Sequence, residues 1–197
     1  VLQVGILEDV LDGTAGLVLP DDVRRETFFL RDAAPLFAFD TETTSLDYMK
    51  AEIVGVSFAM EPGVAAYVPL AHDYAGAPEQ LDPKTTLAPL KPLLEDASRP
   101  KVGHHLKYDA HVLKGCGIGL AGMRYDSMLE SYVLNSTATR HDMDSCAKLY
   151  LGVDTITYED VAGRGAKQLT FNQVRVDRAA EYAAEDADVT LQLHRVL

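Results

Sequence analysis

The chain has 197 residues, 47% of them hydrophobic, and sets 18 lysines and arginines against 30 aspartates and glutamates, a net charge of −12. That length is enough for one sizeable domain that folds without staples, and two cysteines (Cys116 and Cys146) outside any Cys-x-x-Cys spacing fit a reduced, cytosolic protein. The acidic excess predicts that the chain alone is a poor general nucleic-acid binder, because affinity for a polyanion comes largely from Lys and Arg neutralising phosphates, and that a nucleic-acid substrate would be delivered by something else. No apolar run approaches the roughly 20 residues that span a bilayer, and no signal-peptide pattern opens the chain, so no membrane partner is expected.

Residues 1–10 alternate imperfectly and predict an edge strand. Gly13 to Gly16 reads as a loop, and Pro20-Asp21-Asp22 as the start of a helix running to about Asp32 before Pro35 stops it. Leu36 to Phe39 is apolar on both faces and too short for a typical helix, so it predicts a buried strand ending in Asp40-Thr41-Glu42. Ile53 to Met60 alternates, and Ala65 to Leu70 is its partner across a Glu61-Pro62-Gly63 turn. Three consecutive strands on short connections make an antiparallel meander.

Asp82-Pro83 is an N-cap followed by proline in the first helical position. Leu87, Leu90 and Leu94 follow at helical spacing, but Pro89 and Pro92 interrupt one continuous helix and predict a restart near Pro89. Lys101-Val102-Gly103 is a short strand, followed by a helix from about Leu106 to Lys114 that closes at Gly115. From Asp126 onward the pattern is largely helical. Met128, Leu129, Tyr132, Val133 and Leu134 form an apolar face, a further helix covers Asp142 to Leu151, and Gly163 and Gly165 mark a loop. The last helix starts near Asp177 and reaches Leu197 with no stop signal, the pattern expected of a piece of a longer chain.

Three acidic groupings carry candidate chemistry. Alternate strand residues point the same way, so Asp40 and Glu42 project together from the strand end. Carboxylates about 4 Å apart repel by roughly 4 kcal/mol at an effective dielectric near 20, which a shared proton or a cation relieves. Two solvated acids on a strand end are the simpler alternative for that stretch alone. Asp109 opens the helix after the short strand, where an acid also suits the helix dipole. Tyr182 and Asp186 stand four apart on one face of the last helix, with flanking alanines that let it lie close to a sheet, while Glu185 and Asp188 point elsewhere and are expected to be solvated. Together the groupings supply four carboxylates and a phenol. An all-oxygen set favours Mg2+ or Mn2+ over zinc, and two such ions can clamp a phosphodiester.

FAFDTETTSL, VGHHLKYDAHVL and YAAEDADVTLQL resemble the three exonuclease motifs of the 3′→5′ proofreading domain of bacterial family A DNA polymerases, a DnaQ-like exonuclease with tyrosine in its third motif. GVSFAMEPGVAAYVPLAHDY, DSMLESYVLNS, RHDMDS and QLTFNQ extend the resemblance over roughly residues 36–197, while residues 1–35 diverge. The resemblance implies a ribonuclease-H-like α/β fold, a mixed sheet flanked by helices, as one exonuclease domain over 1–197 cut from a polymerase chain. It implies two divalent ions, Mg2+ or Mn2+, held by Asp40, Glu42, Asp109 and Asp186, with Tyr182 orienting the attacking water. It implies release of 5′-monophosphates from a single-stranded or frayed 3′ end of DNA delivered by the polymerase domain. Leu46 would wedge beside the terminal base, Thr43 would contact the 3′ end, Tyr158 would pack on the DNA and Arg140 would meet a phosphate. The family's amide pair in the second motif is replaced by His104-His105, also assigned to substrate contact; His141 is expected to be structural or to touch the DNA backbone, and a metal reading of the histidines with His111 or Cys116 lacks zinc-like spacing. Two other readings keep the motifs: a catalytically inactive structural module, and an RNase D-like RNA 3′ exonuclease.

Overall fold

The computed structural model describes residues 3–6, 35–80 and 82–197. The loop expected at Gly13–Gly16 and the helix expected from Pro20 lie outside them. The sheet has six strands: β1 (Gln3–Ile6), β2 (Phe37–Thr43), β3 (Ile53–Glu61), β4 (Val64–Pro69), β5 (Lys101–Gly103) and β6 (Met123–Asp126), in the order β1-β4-β3-β2-β5-β6. β2, β3 and β4 form the antiparallel meander, β5 runs parallel to β2 and β6 parallel to β5, and β1 is the edge strand beside β4. Strand periodicity sorts β2 into two layers. Phe37 and Phe39 pack with Leu87, Leu94, Leu106, Val112 and Leu113 on one face of the sheet. On the other, Ala38 packs with Ala59, Ala65, Ala184, Ala187 and Leu191. The sheet is therefore covered on both sides, which is why β2 is apolar on both faces.

Helices α1 (Pro83–Leu87) and α2 (Lys91–Leu94) cover the phenylalanine side. The Asp82 carboxylate accepts from Thr85 N at 2.9 Å, and the chain restarts as a second helix just past Pro89, as the two prolines require. Helix α3 (Leu106–Gly115) follows β5 through His105, which sits at φ 69° and gives no side-chain cap. Asp126 caps it instead, accepting from His105 N at 3.1 Å and Leu106 N at 2.9 Å. The same carboxylate caps α4 (Ser127–Leu134), accepting from Met128 N at 3.1 Å and Leu129 N at 3.2 Å. A Cβ on Gly103 would come within 2.3 Å of Leu106 Cδ1, so any larger residue there would push the Leu106 side chain aside.

Three local expectations change. The apolar face expected on α4 is exposed at Leu129, Tyr132, Val133 and Leu134; the helix buries Ser127 and Ser131 because their hydroxyls bond His104 and His141. The next helix, α5 (Met143–Cys146), passes into a π turn over Ala147–Leu151 rather than staying regular. Neither Glu185 nor Asp188 is free in water. Glu185 Oε2 accepts from Ile156 N at 2.6 Å, and buried Asp188 Oδ1 accepts from Gly63 N at 2.7 Å, tying the last helix to the β3–β4 turn. After α6 (Tyr158–Ala162), that last helix, α7 (Val176–Val196), crosses the second face of the sheet on Ala179, Ala180, Ala183, Ala184 and Ala187. None of the helices described is long and apolar enough to cross a membrane.

Candidate active site

Asp40 and Glu42 leave β2 on the α7 side, and the alanines of α7 bring Asp186 down to meet them. One oxygen of each lies within 4.8 Å of the others. Among the described residues this is the one group of three potential metal ligands that converges, so the histidine and cysteine alternative finds no support in geometry. Asp109 arrives from α3, on the opposite face. Its Oδ1 accepts from Thr41 N at 3.1 Å and Thr41 Oγ1 at 2.6 Å. Thr41 points to that face because it alternates with Asp40 and Glu42.

The acids open into a cavity of about 600 Å³ lined by Asp40 to Leu46, Tyr108, Tyr158, Gln168 to Thr170, Tyr182 and Asp186, with no lysine or arginine among them. Burial pushes the Asp40 carboxyl up to about 7 against a lowering bond from Thr41 N. Burial, reinforced by the neighbouring acids, holds Glu42, Asp109 and Asp186 well above the usual carboxylate range. Burial and the same acids also raise the Tyr182 phenol, which hydrogen-bonds Asp186 and stays protonated. Glu42 Oε1 is buried with no hydrogen-bond partner. A buried acceptor without a donor is costly, and an uncompensated charge more so. The oxygen set and its orphaned atom fit a hard divalent cation held by Asp40, Glu42 and Asp186.

The rim is built on the turn after β2. Thr43 Oγ1 and Tyr108 Oη lie 2.5 Å apart and both reach Ser45 O, at 3.1 Å and 2.5 Å. Leu46 beyond them is 95% exposed. Tyr158 lines the opposite wall, donating to Leu169 O at 3.0 Å and meeting Tyr182 edge to face at 6.4 Å. Tyr108 and Thr41 were not singled out from the sequence, although each sits beside an acid that was; the signal was adjacency, which says nothing about where a side chain points.

Three of the expected substrate residues stand outside the cavity. His104 Nε2 lies 3.0 Å from His141 O and so carries the proton, leaving Nδ1 to accept from Ser127 Oγ at 2.9 Å. Desolvation lowers its pKa, in keeping with a neutral ring. His141 is itself buried against Ser131 Oγ at 2.8 Å and Ser136 O at 3.1 Å. His104 thus pins β5 to the 135–141 loop, and His105 is exposed beside it. Arg140 is exposed and pairs with Asp142 at 3.1 Å.

The 3′-5′ exonuclease family model matches residues 21–197. The chain belongs to this family. It is 62% identical over 168 residues to DNA polymerase I of Pseudomonas aeruginosa, a match covering 84% of this chain and 18% of that protein. The exonuclease chain thus spans about a fifth of the length of the curated relatives it matches. Its fold is shared by Trypanosoma brucei RNase D in complex with RNA U12 (TM-score 0.71, 17% identity, covering 100% of this chain and 62% of that one). It is also shared by Brucella melitensis NrnC with bound Mg2+ (TM-score 0.58, 21% identity, 83% and 71%). The sheet and helices are those of the ribonuclease-H-like exonucleases.

Proposed function

We propose that the chain is a 3′→5′ exodeoxyribonuclease that removes 3′-terminal nucleotides as 5′-monophosphates with two divalent cations, serving proofreading within a DNA polymerase I. The observation that carries this reading is the trio Asp40, Glu42 and Asp186, with a buried orphan oxygen in a cavity that offers no basic side chain. Asp40, Glu42 and Asp186 would hold one ion, and Asp40 the second, with Asp109 reaching it directly or through water. Bound there, the ions would polarise the phosphodiester and lower the pKa of the attacking water. Tyr182, kept protonated and tied to Asp186, orients that water with its oxygen rather than deprotonating it. Thr43 and Leu46 hold the terminal nucleotide from the β2 side and Tyr158 from the other, an arrangement supported by their common lining of the cavity. Mg2+ in the NrnC structure supports the choice of ion. The net charge of −12 supports delivery of the strand by a polymerase domain of the same protein.

The test is release of mononucleotides from single-stranded DNA with a 3′-hydroxyl in Mg2+ or Mn2+. Activity should vanish with EDTA, and Asp186→Ala should abolish both turnover and calorimetric Mn2+ binding. Faster cleavage of RNA than of DNA would favour an RNase D-like activity, and no Mn2+ binding by the unaltered chain would favour an inactive module.

A further inference from the structure

Three large apolar side chains stand exposed on the turn after β2, beside the cavity: Leu46 at 95%, Met49 at 79% and Tyr48 at 44%. Single exposed apolar residues need no explanation, but this turn is constructed to present them. Asp47 Oδ1 accepts from Met49 N at 3.1 Å, and Asp47 O accepts from Lys50 N at 2.8 Å and Ala51 N at 2.9 Å. At its base Thr44 N donates to Glu52 O at 3.0 Å, Glu52 N donates to Thr44 Oγ1 at 3.1 Å, and Tyr108 clamps Ser45 O. The Tyr48 ring lies on the His111 imidazole, centroids 4.4 Å apart and planes 20° apart. Along α3, Lys107 and Lys114 stand four residues before and three after His111, on the same exposed face. Neither lysine pairs with a carboxylate among the described residues.

Two unpaired cations flanking a stacked aromatic pair run against the character of a chain carrying −12, and they share helix α3 with Tyr108 as Tyr48 shares the turn with Leu46, the two residues that line the cavity from this side. The cavity contains no cation of its own to meet the phosphates that trail out of it. Proteins grip single strands by joining an aromatic face, on which any base stacks, to cations that track the backbone. We propose that Tyr48 on His111, with Lys107 and Lys114, forms a second holding point for single-stranded DNA. It takes the nucleotides that follow those held in the cavity, one base stacking on Tyr48 and the adjoining phosphates lying along the lysines. The proposal rests on the exonuclease reading above and extends it outward from the cavity.

The experiment compares steady-state hydrolysis of a long oligothymidine with that of a dinucleotide, the shortest substrate with a phosphodiester to cleave. Tyr48→Ala should raise KM for the long strand on the order of ten-fold and leave kcat unchanged, as expected from losing one base–aromatic stack. It should leave the dinucleotide unaffected, and Tyr48→Phe should behave as the unaltered protein. Lys107→Ala with Lys114→Ala should flatten the slope of log KM against log salt by about 1.4, two phosphates at about 0.7 each. An unchanged KM for the long strand in Tyr48→Ala overturns the proposal. So does an equal loss on the dinucleotide, which would put Tyr48 in the cavity's own machinery. An unaltered chain that cleaves neither substrate overturns the exonuclease reading, and the proposal with it.

Discussion

The helix starts and the cavity use the same side chain in opposite ways. At the edges of the fold, acids are answered by donors. Asp82 is held below the usual carboxylate range by Thr85 N, and Asp160 by the Thr157 hydroxyl and its backbone N–H. Asp126 collects four backbone donors from two helices. In and beneath the cavity, burial pushes Asp40, Glu42, Asp109 and Asp186 upward, neighbouring acids add to the shift of the last three, and one oxygen of Glu42 has no partner. Asp109 is held by Thr41 and Asp186 by Tyr182, yet the trio of Asp40, Glu42 and Asp186 converges with one Glu42 oxygen that no donor among the described residues meets. Local inconsistency of this kind marks function.

That contrast can be broken from either side. The largest effect should come from the cavity: Asp40→Ala is expected to lower Mg2+-dependent release of 3′ nucleotides on the order of 10³-fold, read with end-labelled DNA. A residual rate near that of the unaltered protein would remove Asp40 from the chemistry.

Next is the dependence on pH. Asp40 has its folded pKa raised to about 7, so the folded state binds its proton more tightly than the unfolded state. Its contribution to stability is fully present below about pH 4 and is lost as pH rises to about 7. In metal-free buffer, Asp40→Asn should therefore match the unaltered protein near pH 4. It should gain on that protein up to about pH 7, by at most about 4 kcal/mol at roughly 1.4 kcal/mol per pKa unit. Thermal melts of both proteins across that range measure the gap; a gap that shrinks with pH would mean the carboxylate is not uncompensated. Saturating Mn2+ should reverse the order.

Breaking a satisfied acid should do the opposite. Asp126→Ala removes the caps of α3 and α4 together and should cost about 2–3 kcal/mol in urea unfolding, with no gain at any pH. Smallest in stability is Leu46→Ala, where 95% exposure predicts a change within about 0.5 kcal/mol. Its effect should appear as a raised KM for DNA with Mn2+ affinity intact, which calorimetry and kinetics on one preparation can separate.

What could be read from the sequence was whatever depends on near neighbours. Asp82-Pro83, the meander around Glu61-Pro62-Gly63 and the break at Pro89 follow from local chemistry, and each appears in place. Asp40 and Glu42 share a face by strand period alone, and Asp186 joins them. What failed depends on residues far along the chain. Ser127 and Ser131 displaced the apolar face of α4 because histidines 23 and 10 residues away offered them bonds. Asp188 is buried because a glycine N–H 125 residues earlier needed an acceptor. His104 is held away from the cavity lining by His141, on a loop 37 residues later.

The alanines beneath Asp186 set a tolerance. Ala184 and Ala187 are fully buried against Ala38 of β2, the strand that carries Asp40 and Glu42, and Ala183 against Val54 of β3 and Tyr67 of β4 beside it. Each acts as a spacer of fixed thickness, and the separation between the third acid and the first two is the thickness of that layer. One added methylene in a filled interior has nowhere to go but into displacement of the helix. The precision of the acidic trio therefore resides in residues that do no chemistry, and a valine at any of these positions would detune the catalytic distance while leaving every acid in the chain intact.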